Sequence, residues 1–173
     1  MAIKKHATPP APRRIVVDVA TQTLRVMDGP ATAAEFPVST SRFGLGFEEG
    51  SFRTPTGQFL VRDKIGAGAP PWTVFRAREN TGEIAPPGGD EDLVLTRILT
   101  LDGLEPDNAN TLARYVYIHG TNQEHLIGTP ASHGCVRLRN SDMAALHDMV
   151  EPGTPVSIVA PSATSARPSG QQV

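Results

Sequence analysis

The 173-residue chain holds a single cysteine and a single tryptophan, and aromatic side chains occupy only 5% of its positions. One cysteine cannot close an intramolecular disulfide, so the fold gains nothing from an oxidising compartment, and a lone thiol survives best in a reducing one. No apolar run approaches the roughly 20 residues that span a bilayer, which removes a membrane anchor from the expected features. Basic tracts are no longer than Lys4-Lys5 or Arg13-Arg14, and the formal net charge is -2 with a sequence pI of about 6.2. Such a balance argues against nucleic acid as a partner. Lys4-Lys5 is followed by a Pro-rich polar stretch instead of the apolar core of a signal peptide. With Met1 as the native start the expectation is a cytoplasmic protein, and with a leader removed it becomes periplasmic.

What is present suits one globular unit. Hydrophobic residues make up 39% of the chain, enough for a sizeable core at this length, and no internal repeat is visible. Residues 1–13 read as a flexible lead-in, residues 14–160 as the folded domain, and residues 161–173, rich in Ser, Pro and Ala, as a disordered tail.

Within the domain, Ile15, Val17 and Val19, then Leu24 and Val26, alternate with polar neighbours around a break at Thr21-Gln22, the pattern of a β-hairpin. Further strands are predicted over residues 34–39, 58–62, 93–101, 114–118 and 156–159. One helix is predicted over residues 142–150, capped by Ser141, with Met143, Leu146, Met149 and Val150 on its buried face. Residues 64–92 form a long Gly/Pro-rich excursion interrupted by Trp72 to Arg76. It is either a packed flap or a lid over a site, with Arg76 and Arg78 available for carboxylates. Many short strands and one confident helix predict a mainly β domain of two packed sheets.

Chemistry concentrates in two neighbouring stretches, Tyr115-Val116-Tyr117-Ile118-His119-Gly120-Thr121 and Ser132-His133-Gly134-Cys135-Val136-Arg137-Leu138. They contain the cysteine and two of the five histidines. A cysteine is a nucleophile at neutral pH only as a thiolate, and an adjacent imidazole is the common way to make one. His119 and His133 are the candidate bases. Gly134 allows a sharp turn before Cys135, leaving the amides of Gly134 and Cys135 as oxyanion donors. Two other readings compete: a small buried hydrophobe, or metal ligation by His119, His133 and Cys135, for which only His125 offers a fourth ligand and no zinc spacing exists. Gly44-x-Gly46 lacks the lysine and helix start of a phosphate loop. Arg97, inside an apolar run, needs a carboxylate partner or an exposed face.

The stretches Ile118-His119-Gly120-Thr121, Ile127-Gly128 and Ser132-His133-Gly134-Cys135-Val136-Arg137-Leu138-x-Asn140 resemble the signature of L,D-transpeptidase catalytic domains, the YkuD family. Thr54-Pro55-Thr56-Gly57, Leu95-Thr96-Arg97 and Gly153-Thr154-Pro155-Val156 also resemble family segments. The resemblance implies a mainly β, β-sandwich-like catalytic fold with one or two short helices, acting without cofactor or metal. It implies a substrate among peptidoglycan tetrapeptides or muropeptides, attacked at the bond between meso-diaminopimelate and terminal D-alanine. On this sequence it implies Cys135 as nucleophile, His119 as base oriented by the Gly120 carbonyl, and His133 as auxiliary histidine. Arg137, Ser132, Thr121, Tyr117 and Arg97 are the expected substrate contacts. His119 is expected within reach of the sulfur and His133 to be less well aligned. Family members without export signals resemble cytoplasmic L,D-carboxypeptidases of cell-wall recycling. The expectation is therefore a monomeric hydrolase using water as acceptor, with L,D-transpeptidation to an amine as the alternative and a non-catalytic stem-peptide-binding module as a remote one.

Overall fold

The structure, a computed structural model, describes residues 12–162. Most of the expected lead-in and tail lies outside them.

The hairpin read from the sequence forms as β1 (Arg13–Asp18) and β2 (Thr23–Asp28), with Ile15 opposite Val26 and Val17 opposite Leu24. All four are fully buried, which is what period-two alternation on a half-covered pair requires. β3 (Ala31–Pro37) extends one edge. On the other side β10 (Pro155–Val159) runs parallel to β1, and β4 (Gly57–Ile65) pairs antiparallel with β10. The 64–92 excursion is more ordered than its composition suggests, because it folds back as the hairpin β5 (Thr73–Arg76) and β6 (Glu79–Ile84). Phe75 is buried and Trp72 packs beside Val74, Ala85 and Leu95.

β7 (Val94–Gly103) is the longest strand, and it serves three partners: β4, β5 and β8 (Tyr117–Gly120). β9 (Val136–Leu138) then adds parallel to β8. The domain is mainly β, as expected. Where two packed sheets were expected, the ten strands are joined by hydrogen bonds into one sheet that forks at β7, because ten residues are enough for one strand to pair with different neighbours along its length.

The helix α1 (Asn140–Met149) starts two residues earlier than predicted. Ser141 is not its cap. Glu124 accepts bonds from the Asn140 amide (2.8 Å) and from Asn140 Nδ2 (2.9 Å), so a distant carboxylate supplies the negative group that a helix N-terminus favours. Met143 and Leu146 of α1 join Val61, Leu99, Leu101, Ile118, Val136 and Leu138 in the main core. β8 also begins later than predicted, since residue Tyr115 takes a left-handed backbone (φ 59°) that ends any extended run before Tyr117. No helix among the described residues is long and apolar enough to cross a membrane.

His147 on α1 is 4% exposed, and its Nε2 has no hydrogen-bond partner among the described residues. Burial, with the nearby charges of Lys64 and Arg97, pushes its pKa down against the opposing pull of Asp148. As pH falls below about 6.5, the unfolded chain takes up a proton that folded His147 resists, so stability must fall there. One such histidine contributes at most about 1.4 kcal/mol per pH unit. Urea unfolding at pH 7, 6 and 5 should show this decline, and His147→Gln should make it shallower. An identical slope in the variant would exclude His147 as its source.

Candidate active site

β8 and β9 are parallel, with Ile118 opposite Val136 and His119 opposite Arg137. Strand alternation sends Ile118 and Val136 into the core and puts Tyr117, His119, Cys135 and Arg137 together on the other face. The two signature stretches thus bring nucleophile and imidazole onto one surface, with His119 a diagonal neighbour of Cys135.

His119 is 2% exposed, and its Nδ1 lies 2.6 Å from the Gly120 carbonyl oxygen. A carbonyl only accepts, so Nδ1 carries the proton and Nε2 keeps its lone pair. Burial lowers the His119 pKa and Arg137 adds to this, while Asp92 and the Gly120 carbonyl oppose it. The ring is therefore a neutral base at pH 7.

Cys135 as a residue is partly accessible. Its sulfur accepts from the Tyr117 amide at 3.3 Å and faces the Tyr115 carbonyl oxygen at 3.4 Å; neither imidazole is hydrogen-bonded to it. Burial pushes the thiol up to about 12, with Asp92 adding to the rise and the Tyr117 amide, Arg137 and Arg114 opposing it. The resting pair is neutral thiol and neutral imidazole, and the proton has to leave the sulfur during attack.

The turn before the nucleophile is built by Ser132. Its Oγ donates to the Cys135 carbonyl (2.7 Å) and accepts from the Gly134 amide (3.2 Å), while Thr54 Oγ1 holds the Gly134 carbonyl at 2.8 Å. Gly134 has φ 121°, in the region that favours glycine, and a β-carbon there would press on the Arg53 carbonyl. Because its amide is turned to Ser132, Gly134 is not a free oxyanion donor in this state; the Cys135 amide is the remaining one of the expected two.

The expected substrate contacts fare differently. Ser132 and Thr121 are fully buried, and Thr121 Oγ1 caps the Gln123 amide (3.0 Å); both shape loops and meet no solvent. Arg97 is turned away from Cys135. Leu95 pairs with Gly120 and Ile98 with the very next residue back, His119, so Thr96 and Arg97 form a bulge, and Arg97 Nη1 bonds the Ala69 (2.9 Å) and Thr96 carbonyls. Arg137 has no exposed surface and binds Asp92 Oδ1 (3.0 Å), Gln123 Oε1 (2.7 Å) and Ser39 Oγ (3.1 Å). Tyr117 is 6% exposed, yet its ring lines a cleft of about 320 Å³ with Phe75, Ala77, Arg78, Val94, Ile98 and Tyr115.

Two residues escaped the sequence reading. Arg114 lines the cleft of about 250 Å³ that holds Cys135, His133, Phe52 and Tyr115, and its guanidinium also pins the Arg53 carbonyl at 2.8 Å. Asp92 reaches His133 Nδ1 at 3.0 Å and Arg137 at 3.0 Å with only 17% of its side chain exposed. Burial alone would raise the Asp92 pKa, but the charges of His119 and Arg137 and hydrogen bonds from His133 and Arg137 bring it below the ordinary 3.8. Neither position lies in the signature, and the only local signal was an acid close before an apolar strand. Among the described residues no three His, Cys, Asp or Glu side chains are grouped as a metal ion's ligands would be.

A thiol and a buried neutral imidazole on one face of a strand pair, beside an open cleft, define the site of a thiol-dependent acyl-transfer domain. Residues 12–158 match the L,D-transpeptidase catalytic domain, YkuD, and the chain belongs to that family of cysteine-dependent acyltransferases and peptidases. It is 34% identical over 174 residues to the probable L,D-transpeptidase YcfS of Escherichia coli (strain K12), an alignment covering 95% of this chain and 50% of that protein. The probable L,D-transpeptidase YbiS of the same strain is 41% identical over 73 residues, covering 39% of this chain and 24% of that one. The chain thus spans half or less of these relatives' length. Among solved structures, an L,D-transpeptidase from Mycobacterium smegmatis superposes with a TM-score of 0.56 at 22% identity, over 87% of this chain and 59% of that one. One from Xylanimonas cellulosilytica gives 0.58 at 19%, over 88% and 63%. At these identities the structures speak to the fold.

The resting thiol yields a direct test. Alkylation of Cys135 by iodoacetamide in the native protein should be slow at pH 7 and still rising beyond pH 9, where an ordinary thiol is already half ionised. A rate that levels off below pH 8 would instead reveal a preformed thiolate.

Proposed function

We propose that this domain is an L,D-transpeptidase acting on peptidoglycan stem peptides, with terminal D-alanine released from diaminopimelate in the first half-reaction and an amine as acceptor in the second. The observation that carries this reading is that the cleft bordered by Cys135 adjoins a second cleft across Tyr115. The hydrogen-bond partners of the sulfur are the backbone of Tyr115 and Tyr117; Tyr115 borders both clefts, Cys135 borders one, and Tyr117 borders the other. A hydrolase needs room for one peptide and water. A transferase needs room for two chains meeting at one atom, and the relatives' names point the same way.

In the reaction, Sγ attacks the amide carbonyl as its proton passes to Nε2 of His119. The tetrahedral oxyanion is met by the Cys135 amide; one such donor is worth about 2.7–4 kcal/mol. The departing D-alanine amine takes the proton from the imidazolium, leaving a thioester. An amine then resolves it. Arg114, at the Cys135 cleft, is the cation suited to a peptide carboxylate there, whereas the sequence reading named Arg137, which is buried, and Arg97, which is diverted, as substrate contacts.

Purified, reduced protein incubated with a disaccharide tetrapeptide and a D-amino acid tests this, with products followed by mass spectrometry. Cross-linked or exchanged product is the expected result. Tripeptide alone would instead mark the L,D-carboxypeptidase expected from the sequence, with water as acceptor, and no turnover would favour the binding module. Cys135→Ala and His119→Ala should each lower turnover by about 10³-fold or more; appreciable activity in Cys135→Ala would sink the mechanism.

A further inference from the structure

His133 is the second imidazole of the signature, and its surroundings differ from those of His119. It is 43% exposed and lines the Cys135 cleft. Its ring is confined on its apolar sides by Phe52, edge-on with centroids 5.8 Å apart, and by Phe43 at 6.0 Å. Its Nδ1 meets Asp92 Oδ2 at 3.0 Å. An ionised carboxylate only accepts hydrogen bonds, so Nδ1 carries a proton, and in the neutral ring Nε2 is the nitrogen with the lone pair.

The carboxylate is itself delivered by a built framework. Asn122 Nδ2 binds the Gly88 and Glu91 carbonyls (2.8 and 2.9 Å), Asn122 Oδ1 accepts from the Leu93 amide (3.1 Å), and Gln123 Nε2 binds the Gly89 carbonyl (2.9 Å). These bonds clamp the loop carrying Asp92 against the segment that follows His119. Asp92 could serve only as the counter-charge of buried Arg137, but that needs one carboxylate oxygen, Oδ1; the other is given to His133.

We propose that Asp92 is a positioning residue that fixes the tautomer and orientation of His133, and that His133 so held is the base for the acceptor in the second half-reaction, distinct from His119 in the first. The assignment of the step rests on the acyl-transfer reading above. As the acceptor nitrogen bonds to the thioester carbon, its proton passes to His133 Nε2. The C–S bond breaks with its electron pair returning to Sγ, which then takes the proton from the imidazolium, so thiol and neutral imidazole are both restored.

Two measurements test this, and the first needs no substrate. Nitrogen-15 NMR of the histidine rings in Cys135→Ala protein should show His133 protonated at Nδ1, and Asp92→Asn should shift it toward the Nε2–H form. An Nε2–H ring in the protein with Asp92 intact, or a tautomer unmoved by Asp92→Asn, would overturn the positioning role; the first arm holds even if the variant does not fold. The second follows acyl-enzyme by intact mass with tetrapeptide and acceptor amine. Asp92→Asn and His133→Gln should each retain the first release of D-alanine, accumulate thioester, and slow its resolution by about tenfold or more. The double variant should be no slower than His133→Gln alone. Loss of acylation itself in His133→Gln, or resolution at the normal rate, would overturn the division between the imidazoles. Absence of any D-alanine release by the unaltered protein would refute the acyl-transfer reading while leaving the tautomer result to stand.

Discussion

A guanidinium with no exposed surface, that of Arg137, sits behind the nucleophile and determines what can surround it. A charge that deep is tolerated only if paired and hydrogen-bonded, and here three separated parts of the chain supply the bonds: Ser39 after β3, Asp92 before β7 and Gln123 after β8; the Arg137 backbone also exchanges hydrogen bonds with Ser39 (2.9 and 3.0 Å). Removing one partner from such a cluster typically costs about 3–5 kcal/mol. The same contacts that pair the Arg137 Nη atoms, while its buried Nε stays without a partner among the described residues, bring Asp92 to His133 and its charge within reach of His119. Structural neutralisation and site electrostatics therefore share one carboxylate.

Burial works in opposite senses on the two reacting groups. It keeps His119 neutral and able to accept a proton, and it keeps Cys135 protonated until something takes that proton. The arrangement differs from a preformed thiolate–imidazolium pair, in which both charges would have to be desolvated together. It leaves Arg114 and the peptide amides to stabilise charge only as it develops.

The β1–β2 hairpin was legible because Ile15, Val17, Leu24 and Val26 alternate over a short span, and β4, β7, β10 and α1 were each anticipated within a few residues, whereas β9 was not. The misreadings share a cause: contacts with distant chain. Ser141 looked like a cap, yet Glu124 takes that position from sixteen residues away. The excursion over 64–92 was read as a packed flap or a lid without strands, yet β5 pairs with β7 and gains a place in the sheet. Arg97 looked available to a substrate because its strand was read without the bulge at Thr96. Ser132, Thr121 and Arg137 were expected at the substrate because they stand in the signature stretches that carry the family resemblance, whereas a place in a buried strand or turn says nothing about which side chains reach solvent.

The sequence by itself determined the candidate reacting groups: one cysteine after a glycine turn, one histidine at a strand end, and a family signature spanning both. That information is local, carried within about two dozen residues whose spacing any fold would have to respect. The tertiary structure decided which charges those groups meet. Asp92 stands 41 residues from His133 and 45 from Arg137, and Arg114 acquires its place through the loop carrying Arg53, 61 residues before it. Such pairings follow from strand register and loop clamping. Electrostatics decays with distance in space, not along the chain, so neither the neutral resting pair nor the carboxylate behind His133 has a signature in the sequence alone.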